Sequence, residues 1–223
     1  LIADNVNIRT SPSKNSSIIT TLPIGSRLII IEELTYRYTY NNISFPWYKV
    51  SFILNNSEKI GYVVGGFIAQ EYASVEGDLI LLSGLSKYYP DGRVKRQLRV
   101  VKQNKEIDKI EFFPVYDDYD YFEFDVRKNY AINKGVNIVQ VRVRRAMCGY
   151  QSNETTFFLD RDKLYHLRTF TDADKKLLGY ANGRVQLYKL NWVVNDLNHK
   201  DGGEYRKEII KEYIWDGNRL KTF

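Results

Sequence analysis

The sequence predicts a mainly β protein: an N-terminal small barrel, followed by a β-rich antiparallel meander or sandwich. Three observations lead there. Apolar and polar residues alternate over short stretches such as Val6-Asn7-Ile8-Arg9. These stretches are bounded by the turn formers Asn, Asp, Gly and Pro. The longest apolar runs, 28–31 and 79–82, are strand-sized, and no run of 18 apolar residues is present to cross a membrane as a helix.

In chain order, residues 5–9 form a short alternating strand with Val6 and Ile8 on one face. Ser11-Pro12-Ser13-Lys14-Asn15-Ser16-Ser17 is a polar loop. Residues 18–22 form a strand, with Ile18, Thr20 and Leu22 on one face. Pro23-Ile24-Gly25-Ser26 is a turn in which Gly25 is free to take a positive φ. Residues 27–33 are rich in β-branched side chains and read as a buried strand. Two more strands, 47–52 and 60–64, flank the turn Asn55-Asn56-Ser57. Short strands packed this densely suit a small closed or half-closed barrel.

Five separated elements then fall in a familiar order. They are Val6-Asn7-Ile8-Arg9-Thr10-Ser11-Pro12, Gly25, Trp47-Tyr48-Lys49-Val50, Gly61-Tyr62-Val63 and the tail Phe67-Ile68. Residues 3–69 thereby resemble the bacterial SH3 (SH3b-type) domains. Two features depart from that pattern. Tyr62 stands where the family usually has Trp, a conservative change. Residues 32–46 are longer than the commonest version and carry Tyr36, Tyr38, Tyr40 and Phe45.

The resemblance implies an exported bacterial protein whose SH3b module binds a cell-wall peptide or a protein partner, or acts as a spacer. Aromatic faces beside polar groups would supply the peptide contact. Tyr36, Tyr38 and Tyr40 alternate, so in an extended segment they project from one face. Together with Trp47, Tyr48 and Tyr62 they form the expected ligand-binding set. The competing expectation is that these rings cover the barrel wall or a domain interface, because aromatic side chains bury large areas for structural reasons. Asn7 and Arg9 are expected to be structural, a turn-capping amide and a surface or interface ion pair.

The expected domains are 1–72 and 76–223, joined at 70–77 by a linker or by a short link with Tyr72 and Val75 packed. Beyond it, 79–82 reads as a buried strand, and 87–89 with 93–101 as a hairpin about Pro90-Asp91-Gly92. Further strands are expected at 109–113, 119–126, 137–145, 155–159, 164–170, 185–192 and 209–215. Four turns share one grammar, a turn followed by a basic residue and an apolar strand start: Pro90-Asp91-Gly92-Arg93-Val94, Asp160-Arg161-Asp162-Lys163-Leu164, Asn182-Gly183-Arg184-Val185 and Asp216-Gly217-Asn218-Arg219-Leu220. Their spacing is irregular, which indicates repeated hairpin chemistry and no solenoid. Two stretches also have helical features: 171–178, with an N-cap Thr171 and first-turn acids, and 204–214, with apolar residues at helical spacing. The turn at 216–218 favours a strand for 209–215. This second part resembles no characterised family.

Composition narrows the function. The 18 Tyr, 11 Phe and 3 Trp supply apolar area that a disordered chain would lack. The formal net charge is +6, and residues 1–75 carry 6 basic against 5 acidic side chains, so most of the excess lies in the second part. That is mild, and with no binding motif it disfavours nucleic acid. A single Cys, Cys148, excludes an internal disulfide and a thiolate metal cage. The chain begins Leu1-Ile2-Ala3-Asp4 without Met, as if cut at a mature boundary, with any signal peptide or lipid anchor lying outside it.

A papain-like wall peptidase would need a nucleophilic Cys at a helix N-terminus and an activating His. Cys148 follows a strand, no amphipathic helix comes after it, and His166 lies in a strand of its own. A half-buried structural Cys is the expectation. His166 and His199 match no zinc spacing, and no Ser-His-Gly-Cys signature is present. A two-carboxylate glycosidase stays open from sequence.

Two segments concentrate charge of one sign. The run 117–125 mixes acids and rings, with Glu123 and Asp125 on one strand face. It reads as solvated acids leading into a strand, or as a calcium or sugar site. Residues 87–109 hold eight basic and three acidic residues, and Arg142 and Arg144 alternate with Val141 and Val143. These read as solvated strand faces, or as a basic face for an anionic wall polymer or lipid headgroups. The expectation is a non-catalytic envelope-binding protein, periplasmic or outer-surface, with a peptidoglycan peptide or envelope protein as partner and no cofactor or metal. The alternative is a cell-wall hydrolase with an unrecognised catalytic second domain.

Overall fold

Hairpin chemistry builds almost all of the described structure. The computed structural model describes residues 1–40, 42–91, 93–114, 121–128, 136–145, 151–171, 176–194 and 203–222. Strands make up most of the described residues and are arranged in several antiparallel sheets. Two compact units result, Leu1–Phe113 and Pro114–Phe223.

The first unit opens with β1 (Val6–Arg9), β2 (Ile18–Leu22), β3 (Ile29–Tyr40), β4 (Ile43–Leu54) and β5 (Ser57–Val64). They form one antiparallel sheet in the order β2-β1-β5-β4-β3. Asn55 and Asn56, both at positive φ, make the tight β4–β5 turn whose twist suits a two-residue hairpin. Val6 and Ile8 of β1, Val50 and Phe52 of β4, and Val63 of β5 are buried together. Ile19 and Leu22 of β2 and Leu28, just before β3, pack on the same cluster. Both ends of the sheet thus reach one core, which is the small barrel expected from the sequence.

Two expectations change here. Residues 27–33 do not form a buried strand: Ile29 is 68% exposed and Ile30 51%. The reason is topological. β3 is an edge strand with one neighbour, and its register slips between Ile30 and Glu32, so little covers the isoleucines. Nor is 70–77 a plain linker. Glu71–Val75 is β6, which pairs with β7 (Leu79–Tyr88), followed by β8 (Val94–Lys102) and β9 (Lys105–Phe112). Ile2 and Ile24 from the barrel side pack with Leu82 and Val101 of this second sheet. The change of sheet falls near the boundary read from the sequence, but the first compact unit runs on to Phe113.

The second unit holds two four-stranded meanders. One is β10 (Tyr121–Lys128), β11 (Val136–Arg145), β12 (Gln151–Asp160) and β13 (Lys163–Thr171); the other is β14 (Lys176–Ala181), β15 (Arg184–Val194), β16 (Gly203–Trp215) and β17 (Leu220–Thr222). Their shared core places Val136, Ile138, Phe158 and Phe170 of the first against Leu178, Val185, Leu187, Tyr213 and Trp215 of the second. Of the helical alternatives, 172–175 lie outside the described residues, and Lys176-Leu177-Leu178 is strand. Residues 204–214 are strand as well. A bulge at Ile210, opposite the Leu187/Tyr188 step, breaks the period of two and gives Ile209, Ile210 and Tyr213 their helix-like spacing.

Candidate functional site

The β3–β4 hairpin extends past the barrel because 32–46 is long, and this extension carries the tyrosines. Tyr38 pairs with Phe45 and Tyr40 with Ile43, so Tyr38, Tyr40, Phe45 and, two residues on, Trp47 share one face. Val64 pairs with Trp47 on that face. The opposite face of β4 carries Tyr48, Val50 and Phe52 to the core.

Against this aromatic face lies a groove of about 230 Å³. Trp47, only 4% exposed, and Val64 form its floor. Tyr38, Tyr40 and Phe67 form a wall, with the Tyr40 and Phe67 ring centroids 5.6 Å apart. Its polar side comes from Asp4, Asn5, Asn7, Arg9 and Lys14.

Each polar residue is placed locally. Asn5 takes a positive φ and turns the chain into β1, while Asp4 Oδ1 accepts from the backbone N–H of Ile24 at 3.4 Å. Asn7 Oδ1 accepts from Thr21 Oγ1 at 2.8 Å, across the β1–β2 pair. Arg9 Nη1 donates to the carbonyl of Ser16 at 2.6 Å. It therefore ties down the Ser-Pro loop, and among the described residues it makes no ion pair of the kind expected. Ser16 Oγ donates to the carbonyls of Ser11 and Ser13, which closes that loop on itself beside Lys14.

The structure brings together three of the six expected ligand residues, Tyr38, Tyr40 and Trp47. Tyr48 turns inward, and its hydroxyl donates to Glu33 Oε2 at 2.7 Å. Burial, then that bond to the carboxylate, pushes the phenol up to about 12. Tyr62 sits opposite Lys49 and Arg9, beyond the groove lining. Tyr36 is 63% exposed and is separated from the others by a register shift between Glu33 and Arg37. Sequence reasoning left out Asp4, Asn5, Lys14 and Phe67. Phe67 belongs to the tail of the recognised pattern, and Lys14 to its Ser-Pro loop. Only the fold shows that both meet the tyrosines.

The other candidates fare differently. Cys148, His199 and 117–120 lie outside the described residues. His166 Nε2 stands 3.2 Å from Thr169 Oγ1, its ring packs at 5.2 Å on Phe157, and burial lowers its pKa. Glu123 and Asp125 pair with Arg142 and Arg127, so arginine neutralises these carboxylates. Among the described residues no group of three or more His, Cys, Asp or Glu is disposed to hold a metal. Much of the basic run is paired within its own sheet. Arg93 pairs with Asp91, Lys95 and Lys109 with Glu111, and Arg99 with Glu106. Arg96 is buried, with Nη2 donating to Gln70 Oε1. Arg142 is held between Glu123 and Glu154.

Residues 4–69 match the family described as bacterial SH3 domain. The N-terminal barrel is a bacterial SH3 domain, the family that its motifs resemble. No curated protein and no solved structure matches the chain. Bacterial SH3 domains typically bind cell-wall components and are generally extracellular or cell-wall associated.

Proposed function

We propose that this chain is a non-catalytic cell-envelope binding protein whose SH3 domain holds a cell-wall peptide in the Tyr38–Tyr40–Trp47 groove. The observation that carries this reading is the groove itself. Rings form its floor and wall, and amides and cations from the β1 strand and Ser-Pro loop line its other side. An extended peptide needs that combination: apolar contact for its side chains, and hydrogen-bond partners for its backbone and carboxylates. Arg9 and Lys14 against Asp4 leave the groove with a surplus of positive charge. On this reading the β-rich remainder is an accessory domain and the chain works outside the cytoplasm.

Sedimentation with purified peptidoglycan sacculi tests the proposal. The wild-type chain is expected to co-sediment. The Tyr38→Ala/Tyr40→Ala double variant is expected to bind at least about tenfold more weakly, since removing interface aromatics costs that much or more. Zymography on the same material is expected to show no clearing. Equal retention of wild type and double variant contradicts the assigned groove, and a cleared band contradicts the non-catalytic reading.

A further inference from the structure

The groove does not end at the barrel. Tyr40 and Phe67 line a second hollow of about 200 Å³ on their other side. Its far side is built by the β6–β9 sheet: Ser86 of β7, Gln97 and Arg99 of β8, and Lys109 and Glu111 of β9. Both hollows lie within the first compact unit.

The charge of this second hollow is organised. Glu111 accepts from Lys95 at 2.7 Å, Ser86 at 2.7 Å and Lys109 at 3.0 Å. Arg99 donates to Gln97 Oε1 at 2.9 Å and to Glu106 Oε2 at 2.8 Å. Three cations therefore meet two carboxylates, and one positive charge is left over. The barrel groove has the same surplus, with Arg9 and Lys14 against Asp4. Two cationic hollows thus flank one aromatic ridge.

We propose that the site is bipartite: one extended peptide bearing at least two carboxylates crosses the Tyr40–Phe67 ridge. One carboxylate meets Arg9 and Lys14, the other meets Lys109 and Arg99 on the second sheet. The inference rests on the peptide-binding reading above and adds the carboxylate-rich ligand class and the role of the β6–β9 sheet. Apolar contact on the ridge and charge complementarity at both ends select such a peptide over a neutral one.

The test compares Lys109→Gln with Lys105→Gln, which removes the same charge from the same strand but lies outside the hollow. Lys109→Arg serves as the rescue, and circular dichroism of each variant checks folding. The probes are purified sacculi and the same sacculi with their carboxyls converted to amides by carbodiimide and ammonia. Lys109→Gln is expected to weaken binding about two- to fivefold, the range of an exposed ion pair, while Lys105→Gln and Lys109→Arg bind like wild type. Amidation is expected to abolish the difference. Equal binding by Lys109→Gln and wild type overturns the bipartite site and leaves the barrel groove standing. A Lys109→Gln deficit that survives amidation points to a phosphate polymer and overturns the carboxylate assignment. A wild-type chain that fails to bind sacculi at all removes the underlying reading, and the extension with it.

Discussion

The indole Nε1–H of Trp215 donates to Asp160 Oδ2 at 2.9 Å, joining the last turn of one meander in the second unit to the β12–β13 turn of the other. The Trp215 ring also meets Phe158 edge-on at 5.0 Å and Tyr165 at 4.9 Å. This single side chain both fills the inter-sheet core and satisfies its own polar atom, as a buried indole must.

Trp215→Ala is therefore expected to cost about 3–5 kcal/mol, from lost burial and the cavity left behind. Asp160→Asn, which keeps shape but weakens the acceptor, is expected to cost only about 0.5–1.5 kcal/mol. Urea unfolding followed by near-UV circular dichroism measures both. Equal costs would mean that the polar bond, and not the packing, holds the sheets together.

Exposure along β3 leads to a second prediction. Ile29→Lys is expected to change stability by no more than about 0.5 kcal/mol, because the residue is 68% exposed. Ile8→Ala in the same barrel, with Ile8 fully buried, is expected to cost about 2–5 kcal/mol. Thermal denaturation of the two variants decides whether β3 is the open edge described above.

Gly61 explains one element of the SH3 pattern. A Cβ there would collide with Ile8 Cγ2 and stand 3.1 Å from Ile19 Cδ1 and 3.2 Å from the Arg9 carbonyl. The requirement is for space, since β5 pairs with β1 here and the Ile8 side chain occupies the place of a Cβ. Gly61→Ala is expected to destabilise by about 1–3 kcal/mol. In contrast, Gly183→Ala meets no atom within 4 Å and carries only the strain of a positive φ of 75°. Urea titration of both variants compares crowding with backbone strain.

A pH dependence follows from Glu111. Its bond to Lys95, then those to Ser86 and Lys109, hold its carboxyl at about 2, against an ordinary value of 4.5. A carboxyl depressed on folding adds stability above its unfolded value and loses it as the pH falls toward the folded one. Stability is thus expected to decline between pH 4.5 and 2, and the Glu111→Gln variant to decline less steeply. Guanidinium unfolding at pH 6 and pH 3 compares the slopes. Parallel behaviour of the two proteins would show that the Lys95–Glu111–Lys109 cluster contributes nothing to folding.

Local chemistry made much of the fold legible. Asn55-Asn56 and Asn182-Gly183 announce tight turns, and both pairs take positive φ. Gln103-Asn104 takes the same conformation, but Gln is not a turn former, so the sequence does not announce the tight β8–β9 hairpin. Strand β6 passed for a linker because Glu71-Tyr72-Ala73-Ser74-Val75 shows little contrast in polarity and gains its structure by pairing with β7. The isoleucines of β3 looked buried because composition does not reveal which strand is an edge. At the site, alternation singled out Tyr38 and Tyr40, and the family pattern singled out Trp47. The meeting of Lys14 and Phe67 with those rings, and of Lys109 with the far side of Tyr40, depends on contacts remote in sequence.

The most direct measurement is a chemical-shift titration of the ¹⁵N-labelled full chain with soluble peptidoglycan fragments. The account predicts saturable shifts at the Trp47 indole N–H and at the amides of Asn5, Asn7, Tyr38 and Tyr40. Shifts confined to the exposed isoleucine face of Ile29, Ile53 and Ile60, or to the second unit, would place the binding surface elsewhere and contradict it.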